Sequence, residues 1–276
     1  TPYNHRRQRQ MCIRDSTGIT PQKPIIQVDF DRMTLGKFHG VTVPVWGEIG
    51  VTARLINETL AGATGSDNQR PELAERWDIW RAEKRSRLDD DRGKGLNSAL
   101  VFAALSTAVP DDAVIAVDVG NNTYSFGRYF ESRGQRILMS GYLGSIGFAF
   151  PAAMGAWAAT QDQDEYRGRK VVSVSGDGGF GQYMGEFNTA VKYNMDITHV
   201  LLNNSELGKI SKEQRAGEWL VWETDLRNPN FATYAKLCGG KGIRVTKPEQ
   251  LQQAFGEALA HEGPAIVEII TDVELV

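Results

Sequence analysis

The chain has only two cysteines, Cys12 and Cys238. That excludes a disulfide-rich scaffold and any zinc module built on several cysteines. Long hydrophobic runs are also missing. The longest uncharged apolar stretch, 146–159, has 14 residues and contains Pro151. It is too short to span a bilayer and reads as a buried strand-to-helix segment. Positive charge is in deficit: 31 Lys and Arg face 34 Asp and Glu, a net charge of −3. Four of those arginines and one aspartate lie in residues 1–16, so the remainder holds 27 positive against 33 negative charges, a balance of −6. A nucleic-acid binder has the opposite sign, so no nucleic-acid partner is expected. Histidine is sparse, and His5, His39, His199 and His261 form no nucleophile motif with a serine and an acid. His199 lies inside a strand-like run and reads as a satisfied core residue. No signal-peptide pattern is visible, so a reducing cytoplasm is the expected compartment.

The rest of the composition is ordinary for a globular protein, with 41% apolar and 24% charged residues, enough to build a core. Glycine is enriched, at 29 residues or roughly 10% against a usual ~7%, which points to tight turns and backbone-lined sites. Residues 1–16 have neither helical nor strand period and are set aside, with the segment to residue 19, as a disordered or artefactual tail. Strand patterns at 25–30 and 41–45 and a helical pattern at 52–60 form a short α/β piece. It is too small to build a two-faced parallel sheet alone, and a turn-rich stretch at 61–67 closes it. Residues 71–88 carry Leu73, Ala74, Trp77 and Trp80 at helical spacing, the pattern of an amphipathic connecting helix. Asp89, Asp90 and Asp91 read as a solvated linker. Met139, Met154, Met184 and Met195 read as core filling.

From Gly95 onward strands and helices alternate. Strands are expected at 113–118, 136–139, 170–175, 197–202, 242–245 and 265–270, and helices at 97–108, 147–160, 183–193, 231–238 and from about 246 to 260. Thr246-Lys247-Pro248-Glu249 reads as a capping box opening the last helix. Several strands are uniformly apolar, the signature of a six-stranded, mostly parallel sheet covered by helices on both faces.

Ligands of such sheets bind beyond the carboxyl ends of the strands. Four strands run there into glycine or small polar residues: Asp118-Val119-Gly120-Asn121-Asn122, Ser140-Gly141-Tyr142-Leu143-Gly144-Ser145, Gly176-Asp177-Gly178-Gly179 and Asn203-Asn204. Such ends suit a magnesium diphosphate. Asp177 offers one carboxylate and Asn204 a neutral amide oxygen, a donor set that leaves most of the six magnesium positions to phosphate and water. The glycines let backbone N–H groups approach phosphates, and a helix is expected to start near Gly181 with its positive end available.

Gly176-Asp177-Gly178, a spacer of 24 residues, then Asn203-Asn204 resembles the thiamine diphosphate signature. The text around it is similar to the pyruvate oxidase and acetolactate synthase family: Gly144-Ser145-Ile146-Gly147-Phe148, Glu186-Phe187-Asn188-Thr189-Ala190-Val191 and Asn203-Asn204-Ser205-Glu206-Leu207-Gly208. Val28-Asp29-Phe30-Asp31 and Val45-Trp46-Gly47-Glu48 resemble the end of that family's central domain. The resemblance covers roughly residues 20–276, and over 203–214 pyruvate oxidase-like members are nearest.

The resemblance implies that Asp177, the Asn204 side chain and the Glu206 carbonyl bind magnesium. It puts Val119, Gly120, Asn121, Asn122, Gly176, Gly178, Gly179, Gly208 and Ile210 at the diphosphate, and Gly144, Ser145 and Ile146 at the centre of the cofactor. Ile146 would act in catalysis by wedging between the two rings and bending the cofactor. Lys209, also beside the cofactor, stands where relatives carry an apolar residue. The implied domains are 20–62, the C-terminal part of a central domain; 63–94, a linker with a helix; and 95–276, the thiamine diphosphate and magnesium domain. The implied activity is decarboxylation of a 2-oxo acid, pyruvate first, with acetolactate synthase-like carboligation or a fragment inactive by itself as alternatives. FAD in the complete protein, a homodimer or homotetramer, and a separate N-terminal domain carrying the activating glutamate are further implications; Glu48 lies in the wrong domain to be that residue. A nicotinamide-binding domain is disfavoured, because no Gly-x-Gly-x-x-Gly follows the first strand.

Overall fold

The computed structural model describes residues 24–63, 68–141 and 143–275. The expected tail at 1–19 and turn residues 64–67 lie outside them. The chain divides into two compact units between Arg70 and Pro71.

In the first unit, β1 (Ile26–Asp29) and β2 (Val43–Trp46) pair in parallel, Ile26 opposite Val43. They lead to α1 (Ile49–Thr59). Glu48 caps that helix, accepting from Gly50 N at 2.9 Å and Val51 N at 2.6 Å, and these N–H groups hold its carboxyl below the usual range. Glu48 therefore has a structural role here.

The second unit opens with α2 (Arg70–Ser86), most of which belongs to it. The amphipathic pattern placed Leu73 and Trp77 inward, but both are about half exposed, and the buried residue of α2 is Lys84. Its ammonium pairs with the partly exposed Glu131 at 3.2 Å and lies over the Trp80 ring, so a lysine rather than the apolar stripe is buried there. Asp91 makes a turn, accepting from Gly93 N at 2.7 Å.

Six strands follow: β3 (Val114–Val117), β4 (Arg136–Met139), β5 (Val171–Gly176), β6 (Ile197–Asn203), β7 (Lys241–Val245) and β8 (Ala265–Ile270). They form one wholly parallel sheet in the order β4-β3-β5-β6-β8-β7. All six expected strands are present. Helices α3 (Ser98–Ala108), α4 (Asn121–Tyr129) and α10 (Leu251–Leu259) cover one face through Phe102, Phe126 and Phe255. Helices α5 (Ala149–Asp162), α6 (Asp177–Tyr183), α7 (Glu186–Lys192) and α9 (Phe231–Leu237) cover the other through Phe150, Phe180, Phe187 and Phe231. The strand residues alternate between these two cores with period two. Helix α8 (Gly208–Ala216) follows β6.

Several expectations need correction. The stretch 146–159 contains no strand: a turn at 146–147 leads into α5, and Pro151 sits in the first turn of the helix, where its missing N–H does no harm. The helix expected at 183–193 is two, and the first begins at Asp177, not Gly181. Glycine is a poor helix former, but Phe180 is buried beside Phe150 and Phe231 and holds that turn in place. Met139 is 42% exposed on the edge strand β4 rather than filling a core. At the start of the last helical region Gln250, not Glu249, closes the turn, accepting from Thr246 N and Lys247 N. Within α10, Gly256 is exposed, and a Cβ there would meet nothing within 4 Å. Gly256→Ala is therefore expected to stabilise the protein by about 0.5–1 kcal/mol, read as a higher urea midpoint at unchanged slope.

Candidate cofactor site

The strand order fixes where a ligand would lie. From β3 the chain passes to β4 on one side, and from β5 to β6 on the other. The carboxyl ends of β3 and β5 thus flank the topological switch point, the usual binding crevice of an open parallel sheet. A cavity of about 260 Å³ opens there.

Its first wall follows β3. Asp118 is buried, and its carbonyl accepts from Asn122 Nδ2 at 2.8 Å and from the Thr123 hydroxyl. Gly120 has φ 128°, a conformation only glycine adopts readily, and α4 starts after it with no side chain capping its first N–H groups. Val119, Gly120, Asn121 and Asn122 all line the cavity.

The second wall follows β5. Asp177 is 3% exposed. It accepts from Gly178 N at 2.9 Å, Ser205 N at 2.6 Å and Asn228 Nδ2 at 2.7 Å. Burial pushes its carboxyl up while these donors pull it down, and burial wins. Gly176, Gly178 and Gly179 line the same wall. A Cβ on Gly178 would stand 2.7 Å from Leu207 Cδ2, and one on Gly208 would stand 2.6 Å from Val273 Cγ2. These glycines let the walls themselves pack, as well as exposing backbone.

The third wall follows β6, where the two asparagines separate. Asn203 is buried in the sheet, donating to Glu268 at 2.8 Å and accepting from Asn228 at 3.0 Å. Asn204 lines the cavity, and its Oδ1 accepts from Glu206 N at 3.0 Å. Ser205, which follows Asn204, has φ 58°, a left-handed conformation uncommon for serine. The Glu206 carbonyl accepts from Gly208 N at 2.8 Å, and its side chain pairs with Arg215. Glu206, Gly208, Lys209 and Ile210 line this wall. The Lys209 ammonium pairs with Glu213 at 2.8 Å and lies 5.2 Å from the Tyr124 ring centre.

Gly144 and Ile146 complete the cavity, but Ser145 between them is exposed and does not line it. Gly144 has φ 68°, a conformation glycine adopts readily. Sequence reasoning missed Ser98, Leu202, Leu207 and Thr271, which also line the cavity. It missed Asn228 too, which carries no motif and reaches Asp177 from 51 residues away.

The donor set fits a magnesium diphosphate. Asp177, Asn204 and Glu206, which line the cavity, offer one carboxylate, one amide oxygen and one carbonyl. Helices α4 and α8 begin at it without side-chain caps, leaving first-turn N–H groups for an anion. The Asn121 Nδ2 is buried at this wall without a partner.

An open parallel sheet with such a cradle at its switch point defines a domain that binds a phosphate-bearing cofactor. The profile of the C-terminal TPP binding domain of thiamine pyrophosphate enzymes matches residues 118–269, more than half of the chain, and the chain belongs to that family. It is 35% identical over 250 residues to the "Putative thiamine pyrophosphate-containing protein YdaP" of Bacillus subtilis, covering 90% of this chain and 42% of that protein. It is 31% identical over 269 residues to the acetolactate synthase large subunit of Corynebacterium glutamicum, covering 93% of this chain and 41% of that protein. Over 270 residues it is 28% identical to acetolactate synthase 3, chloroplastic, of Brassica napus, covering 89% and 38%. The chain thus spans less than half the length of these relatives. Among the described residues no helix is long and apolar enough to cross a membrane.

Proposed function

We propose that the cavity holds thiamine diphosphate with a magnesium ion, and that the protein decarboxylates a 2-oxo acid, pyruvate first, and joins the product to a second 2-oxo acid. The observation that carries the reading is the convergence of Asp177 and Asn204 on one cavity at the switch point. Relatives named acetolactate synthase move the preference from the oxidase expected over 203–214 to this carboligase reading.

Asp177, Asn204 Oδ1 and the Glu206 carbonyl would hold the metal, with phosphate and water supplying the remaining oxygens. The first turns of α4 and α8 would receive the diphosphate. Ile146 would stand against the cofactor, and the cavity walls would exclude water from it. When bound, the cofactor supplies the carbanion and the electron sink that decarboxylation needs. The activating glutamate, and any FAD, would come from parts of a complete protein beyond this chain, assembled as a homodimer or homotetramer.

Calorimetric titration of thiamine diphosphate, with and without magnesium, tests the site. Binding is expected only with magnesium, and its absence from a folded, magnesium-saturated chain would count against the site. In protein that includes the glutamate-bearing domain, pyruvate should yield acetolactate. Acetate with flavin reduction would instead support the oxidase reading.

A further inference from the structure

Asp118 belongs to neither the metal set nor the cavity lining, yet it is 1% exposed and carries a carboxylate. Its Oδ1 accepts from three backbone N–H groups: Val119 at 2.8 Å, Gly147 at 2.8 Å and Phe148 at 3.2 Å. Its Oδ2 is buried without a partner. A Cβ on Gly179 would stand 2.4 Å from that oxygen, so the first turn of α6 packs directly on the carboxylate. One side chain therefore joins three segments that wall the cavity: 119–122, 144–148 and the start of α6.

The segment it holds has little freedom elsewhere. Gly147 has φ 91°, and a Cβ there would stand 2.5 Å from the Tyr183 ring at the end of α6. Ile146, the neighbour of Gly147, has its Cδ1 3.9 Å from where a Cβ of Gly178 would be. The turn is thus pinned by hydrogen bonds that Gly147 and Phe148 donate to Asp118 and confined by the Tyr183 ring, and Ile146 rides on it.

We propose that Asp118 is a positioning residue which, through the N–H groups of Gly147 and Phe148, sets where Ile146 stands in the cavity. The proposal rests on the reading of that cavity as the thiamine diphosphate site. It makes Asp118 act through Ile146 and not on the cofactor directly.

A double-mutant cycle separates this from general destabilisation. Asp118→Ala, Ile146→Ala, the pair and Asp118→Asn are compared by thiamine diphosphate titration with magnesium and by amide exchange of the ligand-free chain. Asp118→Ala is expected to weaken binding about tenfold with Ile146 present and less than about twofold in the Ile146→Ala background, the non-additivity of residues acting in series. Exchange should quicken at Gly147 and Phe148 while β5 and β6 stay protected. Asp118→Asn keeps an acceptor oxygen and should restore binding to within about threefold of wild type. Should Asp118→Ala fail to fold, Asp118→Ser takes its place in the cycle. Equal losses in both backgrounds, or unchanged exchange at Gly147 and Phe148, would overturn the role of Asp118 while leaving the site intact. A wild-type chain that binds no thiamine diphosphate with magnesium overturns the site itself, and the proposal with it, whatever the exchange shows.

Discussion

Asp177→Ala is expected to lower magnesium-dependent affinity for thiamine diphosphate by about a hundredfold or more, equivalent to roughly 3 kcal/mol. The carboxylate is buried at the end of β5, and nothing else in the donor set carries charge toward the metal: Asn204 offers an amide oxygen and Glu206 a carbonyl, its own side chain being engaged with Arg215. Alanine also strands three donors, on Gly178, Ser205 and Asn228, so part of any loss could come from a shifted 203–206 turn. Asp177→Asn resolves the two contributions. It preserves shape and one acceptor oxygen but not the charge. Without ligand it should lose less stability than Asp177→Ala, since one oxygen still accepts while the amide NH2 replaces the other acceptor. Its magnesium-dependent binding should nevertheless be lost. Titration of both variants, with denaturant curves alongside, makes the check. An Asp177→Asn protein that binds thiamine diphosphate as wild type does would remove Asp177 from the metal set.

How much of this site could be read from the sequence follows from what each residue does. Strands β3, β5, β6 and β8 are legible because strands of a covered parallel sheet are apolar on both faces. Val171-Val172 and Val200-Leu201-Leu202 announce themselves in this way. The edge strands β4 and β7 are exposed or mixed and are legible only as short runs. Strand ends are legible too, so most of the lining is read from sequence, but Ser145 does not line the cavity and Ser98, Leu202, Leu207 and Thr271 carry no local signal. Helices α4 and α8 were not found. Asn121–Tyr129 and Gly208–Ala216 start on residues that favour turns, and α8 buries only Gly208 and Ser211, which leaves no apolar period to detect. The choice between Asn203 and Asn204 depends on where β6 ends. Asn203 is still in the ladder, opposite Ile270, whereas Asn204 has left it. Asn228 and Asp118 act through contacts far apart in the chain, and no local pattern encodes them. The glycines at 178, 179 and 208 were read as openings toward a ligand, but each is also required by a neighbour from another segment, a constraint visible only once those segments are packed.

The second large effect is on stability in acid, and it comes from His199. The ring is fully buried on β6, with Nδ1 2.9 Å from the Ser173 hydroxyl and Nε2 3.1 Å from the Ser175 hydroxyl, both on the neighbouring strand β5. Phe180 and Phe150 lie against it, with ring centres 4.4 and 5.3 Å away. Desolvation in this apolar surrounding lowers its pKa from 6.5 to about 3. The folded state thus refuses a proton that the unfolded state accepts. Stability is complete above the unfolded value of 6.5 and falls as pH drops toward the folded value of about 3, by roughly tenfold in the folding equilibrium per pH unit. Asp118 and Asp177 work in the opposite sense, because burial raises both and the folded state takes up their protons first. The wild-type curve alone therefore understates the histidine contribution. Comparison with His199→Gln cancels the carboxylates. The variant is expected to be less stable at neutral pH, having lost the ring packing, but its deficit should shrink by roughly 15-fold in the equilibrium constant between about pH 6.5 and about pH 5. Parallel stability curves for the two proteins would contradict this. So would an NMR titration in which the His199 ring of the folded wild type takes up a proton near neutrality, and that measurement needs no variant to fold.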